Sequence, residues 1–255
     1  MRVIILQHDI VWASPADNQQ HLEAMLLQQP KADLYVLAEM FSTGFATEPE
    51  GIAENDCSSL NWMKRMAAQL DAALAGSVAT EENGKFYNRF YFVEPDGKTT
   101  HYDKRHLFTY SGEDKHFTQG NERVVVEFRG VRFMLQVCYD LRFPVFSRNK
   151  DDYDAIIYVA SWPSSRIEVW KTLLRARAIE NQSFVIGVNR IGKDVKCEYQ
   201  GGSAIIDPYG RTLASTLDYK EDTASAELNL DELIAFREKF PVLKDRDRFE
   251  LDNLS

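Results

Sequence analysis

The chain of 255 residues is 44% hydrophobic and 27% charged, with Gly 13 and Pro 8, a composition that excludes collagen-like and low-complexity disordered chains. Its 30 basic and 39 acidic residues leave a formal net charge of -9, which repels phosphate backbones and anionic bilayers and argues against nucleic-acid and membrane partners. Three widely spaced cysteines, Cys57, Cys138 and Cys197, form neither a disulfide framework nor a zinc-ligand pattern and fit a reducing cytoplasm.

The opening MRVIILQHD carries an apolar run too short for a secretory signal, and no later run approaches the ~20 apolar residues of a membrane span. The first strand is predicted at Val3 to Gln7. Asn18 to Gln29 then sets Leu22, Met25 and Leu26 at helical spacing, and Leu34 to Ala38 reads as a buried strand with Glu39 directly behind it. A second helix is predicted over Ser59 to Leu74, with Gly76 as its stop.

Phe86 to Val93 and Lys98 to Tyr102, joined by Pro95, Asp96 and Gly97, read as a hairpin. Val124 to Phe128 and Val131 to Val137 form another around Arg129 and Gly130. Ala155 to Ala160 is a buried strand, Ile167 to Gln182 a helix and Phe184 to Val188 a further strand. Gly201 to Ile206 leads into the turn at Asp207 to Gly210, and a short helix, Asp231 to Lys239, opens at Asn229 or Asp231. Strands and helices interleave without a linker or repeat, so residues 1–255 read as one α/β domain. Two sheets of mixed direction, packed face to face with helices outside, satisfy these patterns.

Four side chains invite chemistry. Cys138, in FMLQVCYDLRFP, ends a buried strand, a place for a nucleophile or simply for a small hydrophobe. Glu39, in LYVLAEMFSTGF, is a carboxylate partly desolvated by its apolar approach, suited to a general base or to capping the next turn. Lys104, in HYDKRHLF, is either a surface cation or an ammonium able to stabilise an oxyanion and favour a nearby thiolate. Glu113, in SGEDKHFTQG, is a second carboxylate of the same polar loop.

These four segments, in this order and at these separations, resemble the nitrilase superfamily, the carbon-nitrogen hydrolases. The resemblance extends to SWPSSR near Trp162, WKTLLRARAIENQSFVIGVNRIG, GGSAIIDPYG and FPVLKDRD, nearly the whole chain, and is nearest to the omega-amidase branch. It implies a four-layer α-β-β-α sandwich, a homodimer, and no metal or organic cofactor. It further implies Cys138 as nucleophile, Glu39 as general base, Lys104 as oxyanion-stabilising cation, Glu113 as the glutamate orienting lysine or substrate, and the Tyr139 backbone N–H as a second oxyanion donor.

The resemblance also implies an internal ion pair between Asp140 and Arg142 supporting the Cys138 loop, with Arg142 reaching toward Glu113. A carboxylate remote from the scissile amide needs cations or N–H donors to meet it. Arg142, Lys115 and Arg166 are candidates, with Phe45, Tyr110 and Trp162 as pocket walls, although surface charge and core packing are the ordinary fates of such residues. His101, His106 and His116 match no zinc spacing, Gly201-Gly202 reads as a bulge or close approach rather than a phosphate cradle, and Cys57 and Cys197 have no defined polar partners.

The implied reaction is hydrolysis of the terminal amide of a small alpha-keto dicarboxylate monoamide, 2-oxoglutaramate or 2-oxosuccinamate, through a cysteine thioester. The alternatives within the superfamily are an amidase for another small amide such as deaminated glutathione, a carbamoyl or nitrile hydrolase, and an acyltransferase. Outside enzymes, a non-catalytic binding role remains.

Overall fold

The computed structural model describes residues 1–251. The first half contributes β1 (Arg2–Gln7), α1 (Pro15–Leu27), β2 (Leu34–Val36), α2 (Ser58–Leu70), β3 (Ala73–Glu82), β4 (Lys85–Val93) and β5 (Thr99–Asp103). The second contributes β6 (Val125–Phe128), β7 (Val131–Val137), α3 (Pro144–Ser147), β8 (Ala155–Ala160), α4 (Ile167–Asn181), β9 (Phe184–Asn189), β10 (Ile191–Lys193), β11 (Glu198–Gln200), β12 (Ala204–Ile206), β13 (Thr212–Ser215), β14 (Asp222–Glu227) and α5 (Leu230–Lys239).

Two six-stranded sheets result, ordered β14-β1-β2-β3-β4-β5 and β13-β12-β9-β8-β7-β6. Each has three parallel strands at its centre, β1-β2-β3 in one and β7-β8-β9 in the other, flanked by antiparallel ones. Alternation along β1 shows how the layers form. Val3 and Ile5 enter the apolar cluster that also holds Phe133, Leu135 and Val137 of the second sheet, whereas Ile4 and Leu6 meet Leu22 and Leu26 of α1 and Met63 and Met66 of α2. Phe92 crosses between sheets, its ring 5.8 Å from that of Phe128 and 5.7 Å from that of Phe133. Trp170, Leu174 and Ala178 of α4 cover the second sheet. Each such fully buried large side chain contributes roughly 1.5–3 kcal/mol of hydrophobic stabilisation, and the product is the four-layer α-β-β-α sandwich that the resemblance implies.

The chain departs from the sequence reading in several places. Helix α2 stops at Leu70 because Asp71 adopts a left-handed φ of 49°, and Ala73 to Glu82, partly assigned above to that helix, is a strand. Gly76 is a strand residue rather than a helix stop; a Cβ there would meet Leu37 and Phe41 at 3.0 Å. Strand β2 ends at Val36 rather than Ala38, but the Leu37 N–H still donates to the Ala75 carbonyl at 2.7 Å, so Glu39 leaves the sheet only a residue or two later. The polar strand β14 and the β10-β11 hairpin have no counterpart in the apolar pattern. Among the described residues, no helix is long and apolar enough to cross a membrane.

Candidate active site

The parallel strands end side by side and deliver the site. Val137 of β7 pairs with Val159 of β8, and Ala160 of β8 with Asn189 of β9, so Cys138, Ser161 and Asn189 mark the carboxyl edge of the second sheet. Across the interface, Glu39 follows β2, Asn88 lies in β4 and Lys104 follows β5. The apolar face of β4 and β5 is shared by Phe90, Phe92 and Tyr102. Asn88 and Lys104 continue that two-residue alternation as its polar members.

Glu39, Lys104 and Glu113 have fully buried side chains. Lys104 Nζ donates to Glu39 Oε1 at 3.1 Å and to Glu113 Oε1 and Oε2 at 3.0 and 2.9 Å. Asn88 Nδ2 donates to Glu39 Oε1 at 2.8 Å and to Glu113 Oε1 at 3.2 Å. The remaining Glu39 oxygen accepts the Ser161 N–H at 2.7 Å, and Glu113 Oε2 accepts the Phe108 N–H at 2.6 Å. Burial alone would lower the pKa of Lys104, but Glu113 and Glu39 outweigh it and raise it, so the ammonium keeps its proton. Burial, with the charge of Glu39 adding to it against Lys104, moves Glu113 upward from the ordinary carboxylate range.

Cys138 begins a 3-10 turn, Cys138–Arg142, and has a left-handed φ of 46°, the tight strand-to-turn geometry that presents a side chain at a sheet edge. Burial pushes its thiol well above the usual range. The Glu39 carboxylate adds to this by charge and by hydrogen bonding, while Lys104 and the Ser161 N–H oppose it. The favourable influence of Lys104 on the thiolate is thus outweighed.

Asp140 secures the turn. One of its oxygens accepts from Tyr102 Oη at 2.8 Å and the Val137 N–H at 2.9 Å, and the other from the His106 N–H at 2.9 Å and meets His106 Nδ1 at 2.7 Å. The expected ion pair with Arg142 does not form: Asp140's acceptor positions are filled by these neighbours, and Arg142 instead lies over the Trp162 ring, 5.1 Å from its centroid. Arg142 has no ion pair with Glu113 either, whose oxygens are taken by Lys104, Asn88 and Phe108.

A cavity of ≈ 610 Å³, including its open mouth, is walled by Cys138 and Lys104 together with Phe45, Tyr139, Arg142, Ser161, Trp162 and Arg166. Of the residues expected around substrate, Phe45, Arg142, Trp162 and Arg166 lie on this wall. Tyr110 does not; it is 86% exposed and contacts Phe108. Lys115 is likewise exposed and outside the wall. Glu39 and Glu113 are not among the residues that line this wall, but both bind Lys104, which is.

Several contributors escaped the sequence reading. Asn88 binds both carboxylates, Ser161 supplies a backbone donor, and Tyr102 and His106 hold Asp140. Thr47, Asp194, Lys196, Cys197 and Tyr199 complete the far wall. For Asn88 a signal existed: an amide on the inward face of an otherwise aromatic strand. Cys197, which has no polar partner defined by the sequence, lies on the cavity wall with its thiol pushed up by burial. Gly201 fits the expected close approach, with φ 84° and the Gln7 amide where a Cβ would stand.

Sandwich, strand-edge cysteine and buried Glu-Lys-Glu cluster together define a carbon-nitrogen hydrolase, and the chain belongs to that family: the carbon-nitrogen hydrolase family model matches residues 2–238. It is a hydrolase acting on amide carbon-nitrogen bonds. Over 252 residues it is 44% identical to the omega-amidase YafV of Yersinia enterocolitica, covering 98% of each chain. It is 37% identical over 247 residues to a 2-oxoglutaramate amidase of Bacillus subtilis, covering 94% of this chain and 95% of that one. Among solved structures, a CN-hydrolase superfamily protein from Xanthomonas campestris, determined with an arsenic adduct in its active site, superposes with a TM-score of 0.95 at 40% identity over 98% of both chains.

Proposed function

We propose that the protein is an omega-amidase, releasing ammonia and the dicarboxylate from small alpha-keto dicarboxylate monoamides such as 2-oxoglutaramate and 2-oxosuccinamate. The observation that carries the reading is that Cys138 and Lys104 line one small cavity, with Lys104 bonded to the buried Glu39 and Glu113. The similarity to an omega-amidase and a 2-oxoglutaramate amidase over nearly full length supports the choice of amide.

In this reading the Cys138 thiol, pushed up by burial, gives its proton to Glu39 as the sulfur attacks the amide carbon. The amide carbonyl oxygen becomes an oxyanion, held by Lys104 Nζ and the Tyr139 N–H. Glu39 returns the proton to the amine, ammonia departs, and a thioester to Cys138 remains. Water then gives a proton to Glu39 and attacks the thioester; the departing sulfur recovers the proton and the acid is released. Lys104 keeps its charge throughout, and Glu113 with Asn88 positions that ammonium.

The resemblance extends the proposal to a homodimer. The exposed apolar side chains Ile179, Tyr209 and Phe240 provide apolar surface for an interface. Free thiols at all three cysteines fit a reducing cytoplasm. The test of substrate class is ammonia release from 2-oxoglutaramate and 2-oxosuccinamate against deaminated glutathione and a simple nitrile. A kcat/KM for either keto-acid amide at least about tenfold above the others is expected; preference for deaminated glutathione or the nitrile overturns the assignment.

A further inference from the structure

Strands β8 and β9 part at the edge of the site. Their last backbone pair is Ala160 with Asn189, and Ser161 and Trp162 lie beyond it. Asn189 is the one polar side chain of β9, FVIGVN, and it is fully buried. Its Oδ1 accepts the N–H groups of Trp162 and Arg190 at 2.7 and 3.0 Å, and its Nδ2 donates to the carbonyls of Trp162 and Gly201 at 3.0 and 2.8 Å. Both donors and both acceptor positions of the amide are thus filled. Two of the four bonds go to one residue: the side chain takes the N–H and the C=O of Trp162 as a neighbouring strand does, and carries the β8-β9 ladder past its backbone end.

Ser161 is thereby fixed from both sides, by the pairing of Ala160 before it and the clamp on Trp162 after it. Its N–H donates to Glu39 at 2.7 Å, and the same N–H favours the thiolate of Cys138. One backbone group therefore bears on both functional side chains. The Trp162 ring has supports of its own: Nε1 donates to the Arg166 carbonyl at 2.8 Å, and the ring centroid lies 5.5 Å from that of Trp170. Loss of the clamp is felt first in the backbone at Ser161 rather than in the cavity wall.

We propose that Asn189 is a positioning residue of the reaction, aiming the Ser161 N–H at Glu39 by clamping the backbone of Trp162. The inference rests on the amide-hydrolase reading, in which Glu39 is the base, and adds to it a residue that touches neither substrate nor the reacting atoms. A carboxylate that takes a proton from sulfur and later from water needs a fixed direction, and a displacement on the order of 1 Å costs about a hundredfold in rate. Lys104 and Asn88 direct one oxygen of Glu39; the Ser161 N–H directs the other.

The test compares Asn189→Ala and the milder Asn189→Ser with Tyr153→Phe, a control that removes a buried hydrogen bond to the Ser147 carbonyl near the opposite end of β8. With 2-oxoglutaramate as substrate, both folded Asn189 variants are expected to lose about ten- to a hundredfold in kcat, with KM changed by less than about threefold. The acidic limb of their kcat/KM profile is expected to move to higher pH, because a carboxylate that loses an N–H donor is easier to protonate. Tyr153→Phe is expected to lower the urea midpoint while kcat and the limb stay with the parent. In the parent itself, hydrogen exchange resolved at single amides is expected to place Ser161 and Trp162 among the slowly exchanging amides of β8 and β9. Fast exchange at either amide overturns the clamp without recourse to a variant. A folded Asn189 variant whose kcat stays within about threefold of the parent, or whose limb does not move, overturns the positioning role; in each of these cases amide hydrolysis itself stands. A parent that releases ammonia from neither 2-oxoglutaramate nor 2-oxosuccinamate overturns the omega-amidase reading, and the inference with it.

Discussion

The side-chain amide of Asn88 donates to Oε1 of Glu39 at 2.8 Å, and the same nitrogen reaches Glu113 at 3.2 Å, so one neutral group braces two buried carboxylates. Lys104 supplies a single positive charge to that pair, and every further donor favours their ionised forms. Replacing Asn88 by Leu removes a donor to charged groups worth about 1.5–3 kcal/mol and favours protonation of the carboxylate pair. The acidic limb of the kcat/KM profile is expected to move to higher pH, with kcat/KM at neutral pH falling about tenfold or more. A pH–rate comparison of parent and variant reads this; a merely structural role for Asn88 would lower the profile without moving its limb.

Asp140 is the anchor of the Cys138 turn, tied to Tyr102, Val137 and His106. Asp140→Ala leaves these donors facing an empty site, a loss of about 3–5 kcal/mol for breaking a buried charged network, and frees the strained φ of Cys138 to relax. The expected result is a lower urea midpoint together with a loss of ammonia release larger than that of Tyr102→Phe, which removes only one of the donors. Unfolding curves and turnover, measured on the same preparations, check both.

His8 supplies a pH dependence of stability. Its ring is fully buried. Burial first, and the Arg190 cation second, lower its pKa from 6.5 to about 3. The unfolded chain therefore binds a proton that the folded one refuses as pH falls from 6.5 toward 3, and stability drops over that window by about 1.4 kcal/mol per pH unit. Between pH 7 and pH 5 the parent is expected to lose about 2 kcal/mol more than His8→Leu. Urea unfolding at the two pH values provides the difference; equal losses would show that His8 does not titrate this way.

Much of the fold is legible in the apolar runs. Strands such as β7, β8 and β9 are buried on both faces and announce themselves by composition. Strand β3 was hidden because Ala72 to Ala75 satisfies helical and extended periods alike, and only pairing with β2 decides between them. Strand β14 was hidden for the opposite reason: DTASAE carries no large apolar residue, and its place is set by the backbone of β1.

In the candidate site, Glu39, Lys104, Glu113 and Cys138 are singled out by the motifs surrounding them, since none of the four is distinctive alone. What sequence could not convey was competition for partners. The Asp140 and Arg142 spacing invites an ion pair, yet residues distant in sequence fill Asp140 and release Arg142 to the cavity. Tyr110, aromatic and near Lys104 in sequence, points to the exterior because the turn at Thr109–Ser111 carries it outward.

The central claim, that Cys138 is the atom-bearing nucleophile and Glu39 its base, is tested most directly by ammonia release from 2-oxoglutaramate by Cys138→Ala, with folding verified by its unfolding curve. A rate at least about a thousandfold below the parent is expected, because the oxyanion donors alone retain only a small residue of catalysis. A folded Cys138→Ala protein that releases ammonia within tenfold of the parent rate would contradict the mechanism.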